Sequence, residues 1–124
     1  MAAELSLSGL TIVFVKTAVP SVSFTAGTIT PAVAGTQIMD NVQAVGFAAE
    51  EAILMGDVAG GGYCFVQNMD ATNFVSLRQA TGAGNFIKLL AGEWAIFRMH
   101  ADTTAPFAIA DTAAVNVRFL RFDL

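Results

Sequence analysis

Tyr63-Cys-Phe-Val-Gln-Asn-Met69 and Phe74-Val-Ser-Leu-Arg78 flank Asp70-Ala-Thr-Asn73. The two outer runs are short and rich in aromatic and β-branched residues, which is strand chemistry. The Asp and Asn between them can bond their own backbone, which is turn chemistry. A β-hairpin over 63–78 is therefore expected. Downstream, Thr81-Gly-Ala-Gly-Asn85 is a loop, Phe86-Ile-Lys-Leu-Leu90 a strand, and Ala91-Gly92 a turn into Glu93-Trp-Ala-Ile-Phe-Arg-Met99. The last strand runs from Ala114 to about Phe122, with Val115, Val117 and Phe119 on one face and Asn116 and Arg118 on the other. Leu120, Phe122 and Leu124 then put apolar groups on the face that began polar. A strand apolar on both faces is covered on both sides, and here the expected cover is a neighbouring subunit.

Upstream the pattern is similar. Leu10-Thr-Ile-Val-Phe-Val15 reads as a strand, and so does Val19 to Phe24, where Val22 and Phe24 alternate with Ser21 and Ser23. Pro20 marks an edge or a strand start. Gly27, Pro31 and Gly35 divide the following segment into extended pieces, and Gln37 to Phe47 resumes a strand. Ala48-Ala-Glu-Glu-Ala-Ile-Leu-Met55 is the one helical candidate, with Ala48, Ala52 and Met55 on one helical face over about two turns. Gly60-Gly61-Gly62 is a loop. Strand-like runs with turn signals every eight to twelve residues predict an all-β protein: an antiparallel β-sandwich, jelly-roll-like. One domain over 1–124 is expected, with 1–10 as an extended N-terminal arm.

The chain of 124 residues is 55% hydrophobic and only 13% charged, with a mean hydropathy of +0.62. That is more apolar side chain than one small domain hides easily, so part of it is expected in contacts with partners. A membrane-spanning helix needs about 18–20 apolar residues, and the run from Leu10 to Val15 is far shorter. Met1 to Ser8 carries Glu4 and no Lys or Arg, unlike a secretory leader. A soluble protein folded in a cytoplasm is expected. The net charge of −4 and scattered basic residues disfavour nucleic acid.

The residue types that carry chemistry are sparse. One cysteine, Cys64, and one histidine, His100, supply neither a disulfide nor a thiolate–imidazole zinc site. A cupin-type metal centre on a jelly-roll scaffold needs two or three histidines. His100 precedes Asp102, but no serine sits in a Gly-x-Ser-x-Gly elbow. Glu50 and Glu51 are sequence neighbours and read as solvated loop charges rather than a glycosidase pair. Asp70 and Asp111 belong to turns. Gly60–Gly62 and Gly82-x-Gly84 lack a following Gly-Lys-Ser/Thr and read as hairpin loops. Trp94 alternates in phase with Ile96, which suggests a core or interface position. With Tyr63 it is also the one candidate for a sugar-stacking platform. No catalytic, metal or cofactor-binding residue is expected, and the chain is not expected to be an enzyme.

A string of motifs resembles a loosely defined group of small virion proteins of tailed phages: Asn41-Val-Gln-Ala-Val-Gly46, Glu50-Glu51, Met55-Gly-Asp57, Gly62-Tyr-Cys-Phe-Val-Gln-Asn-Met-Asp-Ala-Thr-Asn-Phe-Val75, Ile87-Lys-Leu-Leu-Ala-Gly-Glu93 and Ala110-Asp-Thr-Ala-Ala-Val115. Together they run through about two-thirds of the chain. Residues 1–40 carry no such match. The resemblance implies a β-sandwich or jelly-roll subunit of a phage head or neck. The specific expectation is a capsid decoration or cement protein, a homo-oligomer and most simply a trimer, bound to the major capsid protein or other virion proteins. Neck, tail-adaptor and head-fibre components are alternatives, and so is a carbohydrate-binding host-recognition module. The contact residues expected are Leu5, Leu7 and Leu10 near the N-terminus and Phe119, Leu120, Phe122 and Leu124 at the C-terminus.

Overall fold

A computed structural model describes residues 5–31, 38–56, 58, 62–100 and 105–122. These residues form ten β-strands and no helix. Every strand pairing is antiparallel. The chain divides into two compact units, 1–33 and 34–124, so the sandwich occupies the second unit and not the whole of 1–124.

The first unit is a two-stranded ribbon of β1 (Thr11–Lys16) and β2 (Val19–Thr25). Ile12 stands opposite Phe24, and Lys16 opposite Val19. Thr17 and Ala18 make the two-residue loop, and Ala18 takes φ +64°, in the left-handed region. Below the ribbon, Leu7 and Ile29 exchange two backbone hydrogen bonds of 2.8 Å.

The second unit holds β3 (Ile38–Val45), β4 (Glu51–Ala52), β5 (Gly62–Asn68), β6 (Val75–Arg78), β7 (Asn85–Leu89), β8 (Trp94–Met99), β9 (Phe107–Ala110) and β10 (Val115–Phe122). They make two four-stranded sheets, ordered β3-β10-β5-β8 and β4-β9-β6-β7. Alternation sends one side chain in two inward. From the first sheet Val45, Cys64, Val66, Met99, Val115, Val117 and Phe119 enter the core, and from the second Val75, Leu77, Leu89, Ala108 and Ala110. Ile53, just past β4, joins them. This is the two-layer solution to burying one face of each sheet.

Two local expectations are corrected here. The segment 48–55 is not helical: Glu51–Ala52 is a short strand paired with Ala108 and Phe107, and the Glu51 carboxylate accepts the Gly46 N–H. Two turns of helix would bury too little to outweigh those pairings. Nor is 63–78 a hairpin, because β5 and β6 belong to different sheets. The Asp70 carboxylate accepts N–H bonds from Thr72 and Asn73, but the turn carries the chain across the core instead of back along a neighbouring strand. A hairpin does form over the next loop, where β6 pairs with β7 around Gly82 and Gly84. Of the glycine run, Gly60 and Gly61 lie outside the described residues, and Gly62 opens β5 with φ +85°.

The crossing at 69–74 is organised by Asn68, which is fully buried. Its amide donates to the carbonyls of Asn73 (2.8 Å) and Leu89 (3.0 Å), and its side-chain oxygen accepts the Asp70 N–H (2.8 Å). The Asn68 carbonyl takes the N–H of Gly92. One side chain thus ties two loops that each pass from one sheet to the other.

Candidate assembly surface

The outward face of the β3-β10-β5-β8 sheet is the most unusual surface of the sandwich. Strand register sets it out in rows: Ile38, Phe122, Tyr63 and Arg98, then Asp40, Leu120, Phe65 and Ile96, then Val42, Arg118, Gln67 and Trp94. Two-thirds of these positions carry apolar or aromatic side chains. Ile38 is 63% exposed, Val42 51%, Trp94 49% and Ile96 38%; Tyr63, Phe65, Leu120 and Phe122 are half-buried among them. Antiparallel sheets that meet water on one face place polar residues there. This one does not, so it has the composition of a covered face.

The polar groups on the face are mostly engaged. Arg118 and Asp40 form a two-pronged pair across β10 and β3, at 2.9 and 3.1 Å. The hydrogen bond from Arg118 holds the Asp40 carboxyl below the usual carboxylate range. The Arg98 guanidinium lies 5.2 Å from the centre of the Tyr63 ring, a cation–π distance. Phe65 and Trp94 are in tilted contact with centroids 5.9 Å apart.

Leu120 and Phe122 lie on this face, where the final strand's change of character put them. Phe119 does not: it is 1% exposed and sits in the chain's own core, because its parity in β10 matches Val115 and Val117. Leu124 lies outside the described residues. Leu5 is buried, Leu7 is half-buried at its bridge with Ile29, and Leu10 is 41% exposed. The sequence reading missed Val42, Phe65 and Ile96 as surface positions. Each alternates in phase with residues that read as core, and only the register with β10 tells which side of the sheet is outward. Trp94 is on the outside, not in the core.

Other candidate groups are placed as follows. Cys64 is buried with its thiol 3.1 Å from the Met99 sulfur. Burial pushes that thiol up to about 11, partly offset by Arg121. Arg121 is itself fully buried on the inward side of β10. Glu50 is not a loosely solvated charge. It accepts hydrogen bonds from Thr81 Oγ (2.6 Å), the Gly82 N–H (2.7 Å) and Arg78 (2.8 Å), which lower its proton affinity, the Thr81 bond most. Glu50 therefore pins the β6–β7 loop. His100 is exposed on the rim of a 470 Å³ cleft walled by Leu77, Ile87, Phe97 and Met99. The cleft opens between the edge strands β7 and β8, and among the described residues its lining is mostly apolar, with Arg78, Arg98 and His100 but no carboxylate. Among the described residues no group of three or more His, Cys, Asp or Glu side chains converges as a metal site, and no helix is long and apolar enough to cross a membrane.

Comparison with protein-family models, with curated proteins and with solved structures gave no match.

Proposed function

We propose that this chain is a structural subunit of a tailed-phage particle, a capsid decoration or cement protein that works by packing against copies of itself and against the shell. The observation that carries the reading is the apolar outward face of the β3-β10-β5-β8 sheet. Numbered within the sandwich, its eight strands run 1-8-3-6 in one sheet and 2-7-4-5 in the other. We read that order as a jelly roll, an architecture shared by viral capsid and lectin domains and cupins. The motifs between Asn41 and Val115 that resemble small virion proteins support the phage setting, and the low charge supports protein partners over nucleic acid. Architecture alone assigns no function, so the site bears the weight.

The test is the mass in solution and the affinity for shells. Size-exclusion chromatography with light scattering is expected to give a multiple of 12.9 kDa, a trimer in the simplest case, and the protein is expected to co-sediment with procapsids. A stable monomer that ignores procapsids overturns the reading. Neck or tail-adaptor placement would show instead as sixfold or twelvefold rings in electron micrographs.

The half-exposed Trp94 beside Phe65 favours a second reading, a carbohydrate-binding host-recognition module, since an exposed aromatic pair can stack on a sugar. Tryptophan fluorescence that stays constant through a glycan titration removes it.

A further inference from the structure

The sandwich is closed along one side and open along the other. On the β3 and β4 side the Gln43 side chain bridges the sheets: its amide donates to the Ala52 carbonyl (3.0 Å) and its oxygen accepts the Leu54 N–H (3.0 Å). At the opposite edges β7 and β8 leave the 470 Å³ cleft, a volume within the roughly 300–1,000 Å³ of small-molecule sites. Leu77, Ile87, Phe97 and Met99 wall it, and Phe86 lines it while 82% exposed.

We infer that the β7–β8 cleft binds an anionic amphiphile, an unbranched alkyl chain ended by a carboxylate, with the chain along Leu77, Ile87 and Phe97 and the head group on Arg98. Charge carries the choice. Acids outnumber Lys and Arg ten to six in the whole chain, yet among the described residues two arginines and no carboxylate line the cleft. The two arginines differ. Arg78 is engaged by Glu50 (2.8 Å) and Asn85 (2.7 Å). Arg98 is exposed, its guanidinium lies 5.2 Å from the centre of the Tyr63 ring, and among the described residues no carboxylate pairs with it. Stacking on a ring leaves the N–H donors in the guanidinium plane, where a carboxylate meets them two at a time. An apolar slot beside one uncompensated cation therefore suits a ligand that is apolar along its length and anionic at one end. The site lies within the sandwich alone, so it stands or falls apart from the assembly reading.

The experiment titrates the full-length, isotope-labelled protein with decanoate and, separately, with the uncharged decan-1-ol, following backbone amides by NMR at low salt. Saturable shifts centred on Leu77, Ile87 and Phe97 are expected with both. Decanoate is expected to bind about tenfold more tightly, as a charge-assisted hydrogen bond provides, and Arg98→Gln to remove that advantage while leaving the affinity for the alcohol unchanged. Shifts that grow without saturating, or that centre on Ile38 and Val42 at the far edge of the outward face, overturn the site. Equal affinity for the two ligands, or a decanoate advantage that survives Arg98→Gln, overturns the anionic head group.

Discussion

Asn68 shows what one buried amide can hold. It has no exposed surface, and its three side-chain hydrogen bonds satisfy backbone groups of loops that cross the core. Removing one partner from a buried hydrogen bond leaves the other desolvated and unmet. Asn68→Ala is therefore expected to cost about 1–3 kcal/mol in denaturant unfolding, whereas an exposed neighbour such as Met69→Ala should cost far less. Phe119→Ala, which empties a ring-sized volume between the sheets, should cost about 3–5 kcal/mol in the same assay. Cys64 makes a chemical prediction. With its thiol raised to about 11 by burial, the neutral form is the folded one. Near neutral pH the cysteine should resist maleimide until denaturant is added. Above about pH 9 the unfolded chain ionises first, so stability is lost as pH climbs through 9 toward 11. Rapid labelling of the native protein at pH 7.5 would contradict the burial.

Among the elements, the β1–β2 hairpin turns on one strained residue and the β6–β7 loop is held by a carboxylate some thirty residues away in sequence. Ala18 occupies the left-handed region at φ +64°, where a side chain costs about 1–2 kcal/mol. Ala18→Gly should raise the protection of the hairpin amides in hydrogen exchange, and unchanged or faster exchange would count against the turn geometry. The β6–β7 loop depends on Glu50, whose carboxylate meets Thr81, Gly82 and Arg78. Glu50→Gln should lower the melting temperature at pH 7. As pH falls below the ordinary carboxylate value of 4.5 and the wild-type carboxyl in turn takes up its proton, the gap should narrow. A gap that is constant with pH would mean the contacts do not depend on charge.

For the molecule as a whole, Asp40, Glu50 and Asp70 are all held below their ordinary proton affinity. Arg118 does this for Asp40, Thr81 chiefly for Glu50, and the N–H groups of Asn73 and Thr72 for Asp70. The folded chain then binds fewer protons than the unfolded one across the acid range. The contribution of these groups is complete above the ordinary carboxylate values of 3.8 and 4.5 and is lost as pH falls through and below them. Thermal melts at pH 7, 5, 4 and 3 should be flat over the first interval and fall across the last.

The amino-acid sequence by itself determined the strand class. Alternation from Val115 to Phe119 puts valines and a phenylalanine on one side of the chain whatever they later face, and the turn chemistry at Asp70 and Gly92 stops the runs. It also determined the poverty of ionisable groups, and with it the expectation of a protein that packs instead of reacting. β9 was invisible, being four residues of which two are alanines. Which strands pair, and therefore which face is outward, was decided only by the tertiary structure. A strand's two faces are set by local geometry, but the choice between them is made by neighbours distant in sequence: Asp70–Asn73 is equally good chemistry for a hairpin and for a crossing between sheets. Phe119 and Phe65 read alike along the chain. Once β10 lies between β3 and β5, one ring is sealed between two sheets and the other is left on the outward face.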